Sequence, residues 1–197
     1  MLSIPLSSGD IAKIVGIDPG TETLGIAIIH FNIFTFKIVK CEAATYKGSQ
    51  LLSNDWTRSI FGDRYTRIEA HRHNLYKLLE QEQPLIIGCE SPFISRRFPQ
   101  AGLALTEIVS GIRAAVRLHD LWKPCYLVSP PEAKKAVGAK VSKDKGAVKR
   151  AILQIPAISK TCTTPINALD EHSIDALAIA YFLLQQTKES KLEPLYL

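Results

Sequence analysis

Nowhere in the 197 residues does an apolar run approach the roughly 18 residues that a membrane-spanning helix needs. The first ten residues, MLSIPLSSGD, lack the basic start and long apolar centre of a secretory signal. Both absences point to a cytoplasmic protein with no membrane partner. Paired cysteines are missing as well. Cys41, Cys89, Cys125 and Cys162 are widely spread, with no CxxC and no histidine at zinc-finger spacing. A zinc finger is excluded and a disulfide framework is not expected. Cys89 and Cys125 lie in apolar runs and read as small core residues. No repeat, no low-complexity segment and no internal boundary interrupts the chain. One domain is expected over 1–197, with its core at about 13–187 and short tails.

What is present is an ordinary globular balance, 46% hydrophobic and 22% charged residues, with a net charge of +5. The charge is unevenly spread. Residues 134–150 hold Lys134, Lys135, Lys140, Lys143, Lys145, Lys149 and Arg150 against one acid, Asp144. Such a patch attracts a phosphate backbone without reading its sequence, although a run of charge is also what a solvated helix face looks like.

Hydrophobic periodicity predicts the elements. Short β-rich runs at 13–17, 24–30 and 31–39 read as a three-strand antiparallel meander, with Asn32 turning between the second and third. Residues 44–60 read as loop and 62–82 as helix, ended by Pro84. The compact run 85–90 has the length and composition of a buried parallel strand. A helix follows at 101–119, a strand at 124–128, and a helix opened by Pro130 and Pro131. Ser142 is the predicted cap of a helix to about Leu153, residues 155–168 read as loop, and a last helix covers 169–187. Its first turn holds Asp170 and Glu171, where the helix dipole favours them. The expected class is α/β: a mixed sheet, meander plus parallel strands, flanked by helices.

Three carboxylates sit at the edges of apolar elements. Asp18 ends the first strand, Glu90 ends the fourth, and Asp175 lies inside the apolar last helix. Singly, each has an ordinary explanation as turn residue, ion-pair partner or wet helix stripe. Together they suggest an oxygen-rich cluster of the kind that holds magnesium or manganese. Asp18 and Glu90 become neighbours if the first and fourth strands pair.

These residues carry a family resemblance. Gly16-Ile-Asp-Pro-Gly-Thr-Glu-Thr-Leu-Gly25 resembles the opening motif of the bacterial RuvC Holliday-junction resolvases and their phage relatives. Cys89-Glu-Ser-Pro-Phe93 is similar to the second motif, and Asp175-Ala-Leu-Ala-Ile-Ala180 to the third, in the same order and at matching spacings. The resemblance implies an RNase H-like fold, two Mg2+ ions per site that Mn2+ can replace, and a homodimer acting on four-way DNA junctions. It implies paired nicks that leave 5′-phosphate and 3′-hydroxyl ends. Four metal-associated positions carry over as Asp18, Glu90, His172 and Asp175; many relatives have Asp where this chain has His172. Residues i and i+3 share a helix face, so His172 and Asp175 can serve one ion, with Glu171 a substitute or supplement for His172. The resemblance assigns Lys145 to catalysis, and leaves open whether Lys134 or Lys135 accompanies it. It gives Phe93 a stacking role on a base, and makes Arg96, Arg97, Lys143 and Lys149 phosphate contacts. The helix at 101–118 is a candidate dimer surface, or simply core.

Three rival readings remain. A nuclease of the same fold could act on flaps, forks or RNA. A non-catalytic DNA-binding module would keep the basic patch but leave the acids unexplained. Asp18-Pro-Gly-Thr also resembles a phosphate loop of the actin and sugar-kinase superfamily, but the second lobe and second glycine-rich loop of that superfamily are missing.

Overall fold

The computed structural model describes residues 10–51, 55–92, 99–140, 144 and 146–189. Its centre is a five-stranded mixed sheet in the order β3-β2-β1-β4-β5. The strands are β1 (Ile11–Asp18), β2 (Thr23–Asn32), β3 (Ile38–Lys47), β4 (Ile86–Glu90) and β5 (Cys125–Val128). The first three form the antiparallel meander, and β4 and β5 add in parallel to β1. Parallel addition needs helical crossovers, and these cover both faces. One face carries α2 (Asp55–Glu82) and α3 (Pro99–His119) over Val15, Ile17, Ile26, Ile28, Ile87 and Cys89. The other carries α7 (Glu171–Lys188), with α4 (Pro130–Ala136), α5 (Ala147–Leu153) and α6 (Pro156–Ser159) around it. A short helix, α1 (Gly48–Leu51), follows β3.

Helix α7 is buried along most of its circumference, from Ser173 and Ile174 to Leu183 and Leu184. A helix enclosed on most sides reads as apolar all round. It lies unusually close to the sheet because glycines lie beneath it. A Cβ on Gly25 would meet the His172 carbonyl oxygen at 2.3 Å, and one on Gly16 would meet that of Ala176 at 2.3 Å. A Cβ on Gly88 would meet Leu183 Cδ1 at 2.4 Å. Gly16 pairs with Gly88 across β1 and β4, so two of these gaps are adjacent. The helix crosses β2, β1 and β4 in that order, backbone against backbone at Gly25 and Gly16 and through the Leu183 side chain at Gly88.

Several boundaries differ from expectation. The third strand begins at Ile38 rather than Phe31, because β2 continues through Asn32. Asn32 Oδ1 accepts hydrogen bonds from the backbone N–H of Phe34 and Thr35, at 3.1 and 2.8 Å, and holds the turn. The segment expected to be loop from 44 onward completes β3, whose polar outer positions reflect its place at the sheet edge. Helix α2 spans a break at Gly62 (φ 81°), so the predicted start at 62 marks the second of two merged segments. The expected cap Ser142 lies outside the described residues. Helix α5 begins at Ala147, where Asp144 Oδ1 accepts from the Gly146 N–H at 3.0 Å. Residues 155–168 include α6 and a 3-10 turn, and the backbone at Cys162 makes an isolated parallel β-bridge to that at Cys41 on the β3 edge. Asp170 is the cap of α7, accepting from Ser173 N at 2.8 Å, rather than part of its first turn. All four cysteines are free, as expected, with Cys89 buried and Cys125 half-buried. Among the described residues no helix is long and apolar enough to cross a membrane.

The glycine contacts set a measurable requirement. Gly16→Val places side-chain carbons against helix backbone that cannot yield, and should cost at least ~2–3 kcal/mol of stability by chemical denaturation. Ala27→Gly, which only removes a buried methyl on the same sheet face, should cost about 1–2 kcal/mol. Equal effects would show that close approach is not what Gly16 provides.

Candidate active site

Alternation along the strands decides where the acids point. Asp18 is two residues beyond Gly16, and Glu90 two beyond Gly88, so both face α7 at the carboxyl ends of neighbouring parallel strands. Helix α7 then delivers its own pair. His172 lies over Gly25, which is the register partner of Asp18. His172 Nδ1 and Asp18 Oδ2 are hydrogen-bonded at 2.6 Å, and His172 Nε2 contacts Thr23 Oγ1 at 2.9 Å. One turn on, Asp175 lines a cleft of about 160 Å3 together with Glu90, Pro130, Ala133, Lys134 and Ala178.

The four predicted positions are therefore brought to one end of the sheet. Asp18 is buried, at 8% exposure, and Glu90 and Asp175 are half-buried. Burial pushes the Glu90 carboxyl up to about 7, and the charges of Asp18 and Asp175 add to the rise. Burial likewise raises Asp175 to about 6, with Asp18 again contributing. Lys134 and His172 oppose both shifts without cancelling them. The hydrogen bond to Asp18 raises the His172 imidazole above its usual value. Among the described residues, no three His, Cys, Asp or Glu side chains are gathered tightly enough to form a ready-made metal group. The donors are hard oxygens and an imidazole, however, and their negative charge is under-compensated in place. That is the electrostatic setting that a divalent cation relieves.

The basic predictions separate. Helix α4 buries Ala133, which turns Lys134 into the cleft and leaves Lys135 exposed outside it. Of the two lysines that sequence left open, Lys134 is the one that lines the cleft. Lys149 donates to the carbonyl oxygens of Asn167 and Leu169 at 2.9 and 2.7 Å. It ties α5 to the turn before α7, so its ammonium is engaged within the fold. Phe93, Arg96, Arg97, Lys143 and Lys145 lie outside the described residues. Glu171 is exposed and acts on Asp175 and His172 through its charge.

Two residues that sequence reasoning missed are Thr23 and Thr45. Thr45 Oγ1 donates to Asp170 Oδ1 at 2.6 Å and contacts Ser173 Oγ at 2.9 Å, fixing the start of α7 against β3. The available signal was alternation from Gly25, which puts Thr23 and its neighbour Thr45 on the α7 face.

A mixed sheet in this order, with acids at the ends of its first and fourth strands and on a helix crossing them, has the architecture of the RNase H-like fold. The sequence is 29% identical over 170 residues to crossover junction endodeoxyribonuclease RuvC of Chlamydia caviae, covering 85% of this chain and 89% of that one. No family model matches. The fold is shared with Thermus thermophilus RuvC, solved in complex with a Holliday junction substrate. That match has a TM-score of 0.63 at 17% identity and covers 90% of this chain and 96% of that one. The yeast mitochondrial Holliday junction resolvase Ydc2 matches with a TM-score of 0.60 at 14% identity, covering 91% and 80%.

The raised carboxyls predict a pH signature. Glu90 and Asp175 keep protons to about 7 and about 6 in the folded chain, whereas unfolded Glu and Asp ionise near 4. The folded state binds more protons in that window, so stability falls as pH rises from about 4 to about 7 and then levels. In chelator, Glu90→Gln should gain on the order of 1–3 kcal/mol over the parent at pH 8 and little at pH 4, measured by urea unfolding. A variant no more stable than the parent at pH 8 would contradict the charge argument.

Proposed function

We propose that this chain is a structure-selective DNA endonuclease that resolves four-way junctions by paired nicks, leaving 5′-phosphate and 3′-hydroxyl ends. One observation carries the reading: Asp18, Glu90, His172 and Asp175 meet at the carboxyl ends of β1 and β4, with Lys134 beside them. Three acids facing an anionic substrate make sense only when cations mediate, and Mg2+ is the proposed ion. Asp18, Glu90, Asp175 and His172 are its proposed holders. Bound there, it would supply charge stabilisation to the phosphodiester and activate water for in-line attack. The proposed setting is the cytoplasm, where chromosomal or phage DNA is accessible.

The chain's own groups do the rest. Lys134 places a fixed positive charge at the cleft, where negative charge develops on the phosphate as the bond breaks. Thr23 and Asp18 hold the His172 ring from both nitrogens, so one of the two contacts would have to open for the imidazole to hold an ion. At about 160 Å3 the cleft is smaller than small-molecule pockets of ~300–1,000 Å3, which suits a backbone phosphate better than a whole small molecule.

Paired nicks need two such sites, so a homodimer is proposed. Most of α3 is not free for it, since Ile108, Val109, Ile112, Ala115 and Val116 are buried in the core. The exposed apolar residues Trp56, Ile60, Phe61 and Tyr65 on α2 offer a better surface, with Leu103 of α3 alongside. The Arg64–Glu107 ion pair, at 3.0 Å, ties the two helices together beside this surface. This surface is on the sheet face opposite α7, so a second copy bound there leaves both clefts open.

Asp18→Asn should abolish cleavage of a synthetic four-way junction in Mg2+ while junction binding in Ca2+ persists. Cleavage at the parental rate would remove Asp18 from the reaction. Phe61→Glu should shift the chain from dimer to monomer in analytical ultracentrifugation and uncouple the two nicks. An unchanged dimer would move the interface elsewhere.

A further inference from the structure

We propose that Lys47 is a second DNA-backbone contact, gripping a phosphate on the far side of the acids from Lys134. The inference rests on the junction-nuclease reading above and names how that site holds its substrate. Lys47 ends β3 and is the register partner of Thr23. Paired residues on neighbouring strands project to the same face of a sheet. Thr23 touches His172, and Thr45, two residues before Lys47, touches Asp170 and Ser173. Lys47 therefore projects on the α7 face, one step beyond Thr45 along the edge strand, at the same end of the sheet as the acids. It is exposed, and among the described residues it has no hydrogen bond or ion pair. Lys40, on the same strand, is by contrast paired with Glu42 at 2.9 Å.

The acids are thus flanked by one lysine on each side. Lys134 adjoins Glu90 and Asp175, and Lys47 stands beyond Asp18, His172 and Thr23. From β3 to β4 is three strand spacings, roughly 14 Å. Neighbouring phosphates on a strand lie about twice as far apart as the ~3.4 Å axial rise, so Lys47 reaches a phosphate roughly two nucleotides from the one over the acids. Two separated cations fix the direction of a strand across the cleft, which a single lysine cannot do. A lysine on an edge strand also discourages edge-to-edge pairing between chains, and a residue serving only that end would not alter DNA affinity.

The test measures four-way junction binding in Ca2+ across a salt series, with the full chain and its variants. Lys47→Ala should weaken binding roughly 3–10-fold near physiological salt and reduce the slope of log affinity against log salt by about 1. Lys47→Arg should keep both. Lys77→Ala, an exposed lysine on α2 behind the sheet, should match the parent. Parental affinity and slope in Lys47→Ala would overturn the assignment while leaving the junction reading intact. A parent chain that fails to bind branched DNA would instead overturn the reading and the inference with it.

Discussion

The molecule depends on one close contact: the backbone of α7 pressed onto a sheet stripped of side chains at Gly16 and Gly25. An ordinary helix stands off its sheet by the thickness of two side-chain layers, about 10 Å. At that distance a carboxylate on the helix and one on a strand would meet only through long side chains. Removing the Cβ atoms lets short Asp side chains from both elements reach the same space. The glycines therefore do more than permit packing; they set the scale on which Asp18, His172 and Asp175 interact.

The same contact explains why the site sits at one end of the sheet. Strand alternation aims Asp18 and Glu90 toward α7, and the parallel pairing of β1 and β4 brings their ends level. Helical phase splits the α7 pair, with His172 turned to β1 and β2 and Asp175 turned to β4 and α4. Two hydroxyls, Thr23 and Thr45, lock the helix start to the meander. Each of these is a consequence of period-two strands meeting a helix of period 3.6 at fixed register.

Sequence made the acids legible because each one interrupts or ends an apolar run, where a charge requires a reason. The buried strand β4 and helix α3 were legible for the same reason, as runs with clear length and composition. The edge strand β3 was legible as a third meander strand but not in its bounds: its outward positions are polar, so its second half reads as loop. Nor could sequence choose between Lys134 and Lys135, since that depends on the phase of α4, which burial of Ala133 decides. Lys149 looked like any other member of a basic run, and only tertiary structure shows its ammonium held by two carbonyls. Local pattern reports which residues are costly to bury. It does not report which neighbours the fold brings to them.

The electrostatics of the cluster link protons to cations. Burial holds Glu90 and Asp175 above the usual carboxylate range, and the Asp18 hydrogen bond holds the His172 imidazole above its own. In each case a proton compensates negative charge that the fold has removed from water. A divalent ion would compensate the same charge, so protons and cations compete for one set of atoms. Affinity for the ion must then rise with pH through the range in which these groups release protons. The two lysines flanking the acids cannot substitute for the ion, because Lys134 is already present and the carboxyls remain raised. The arrangement is consistent with a site that fold stability alone would not favour, since the acids cost stability while empty of compensation and become useful against a phosphate only when a cation joins them.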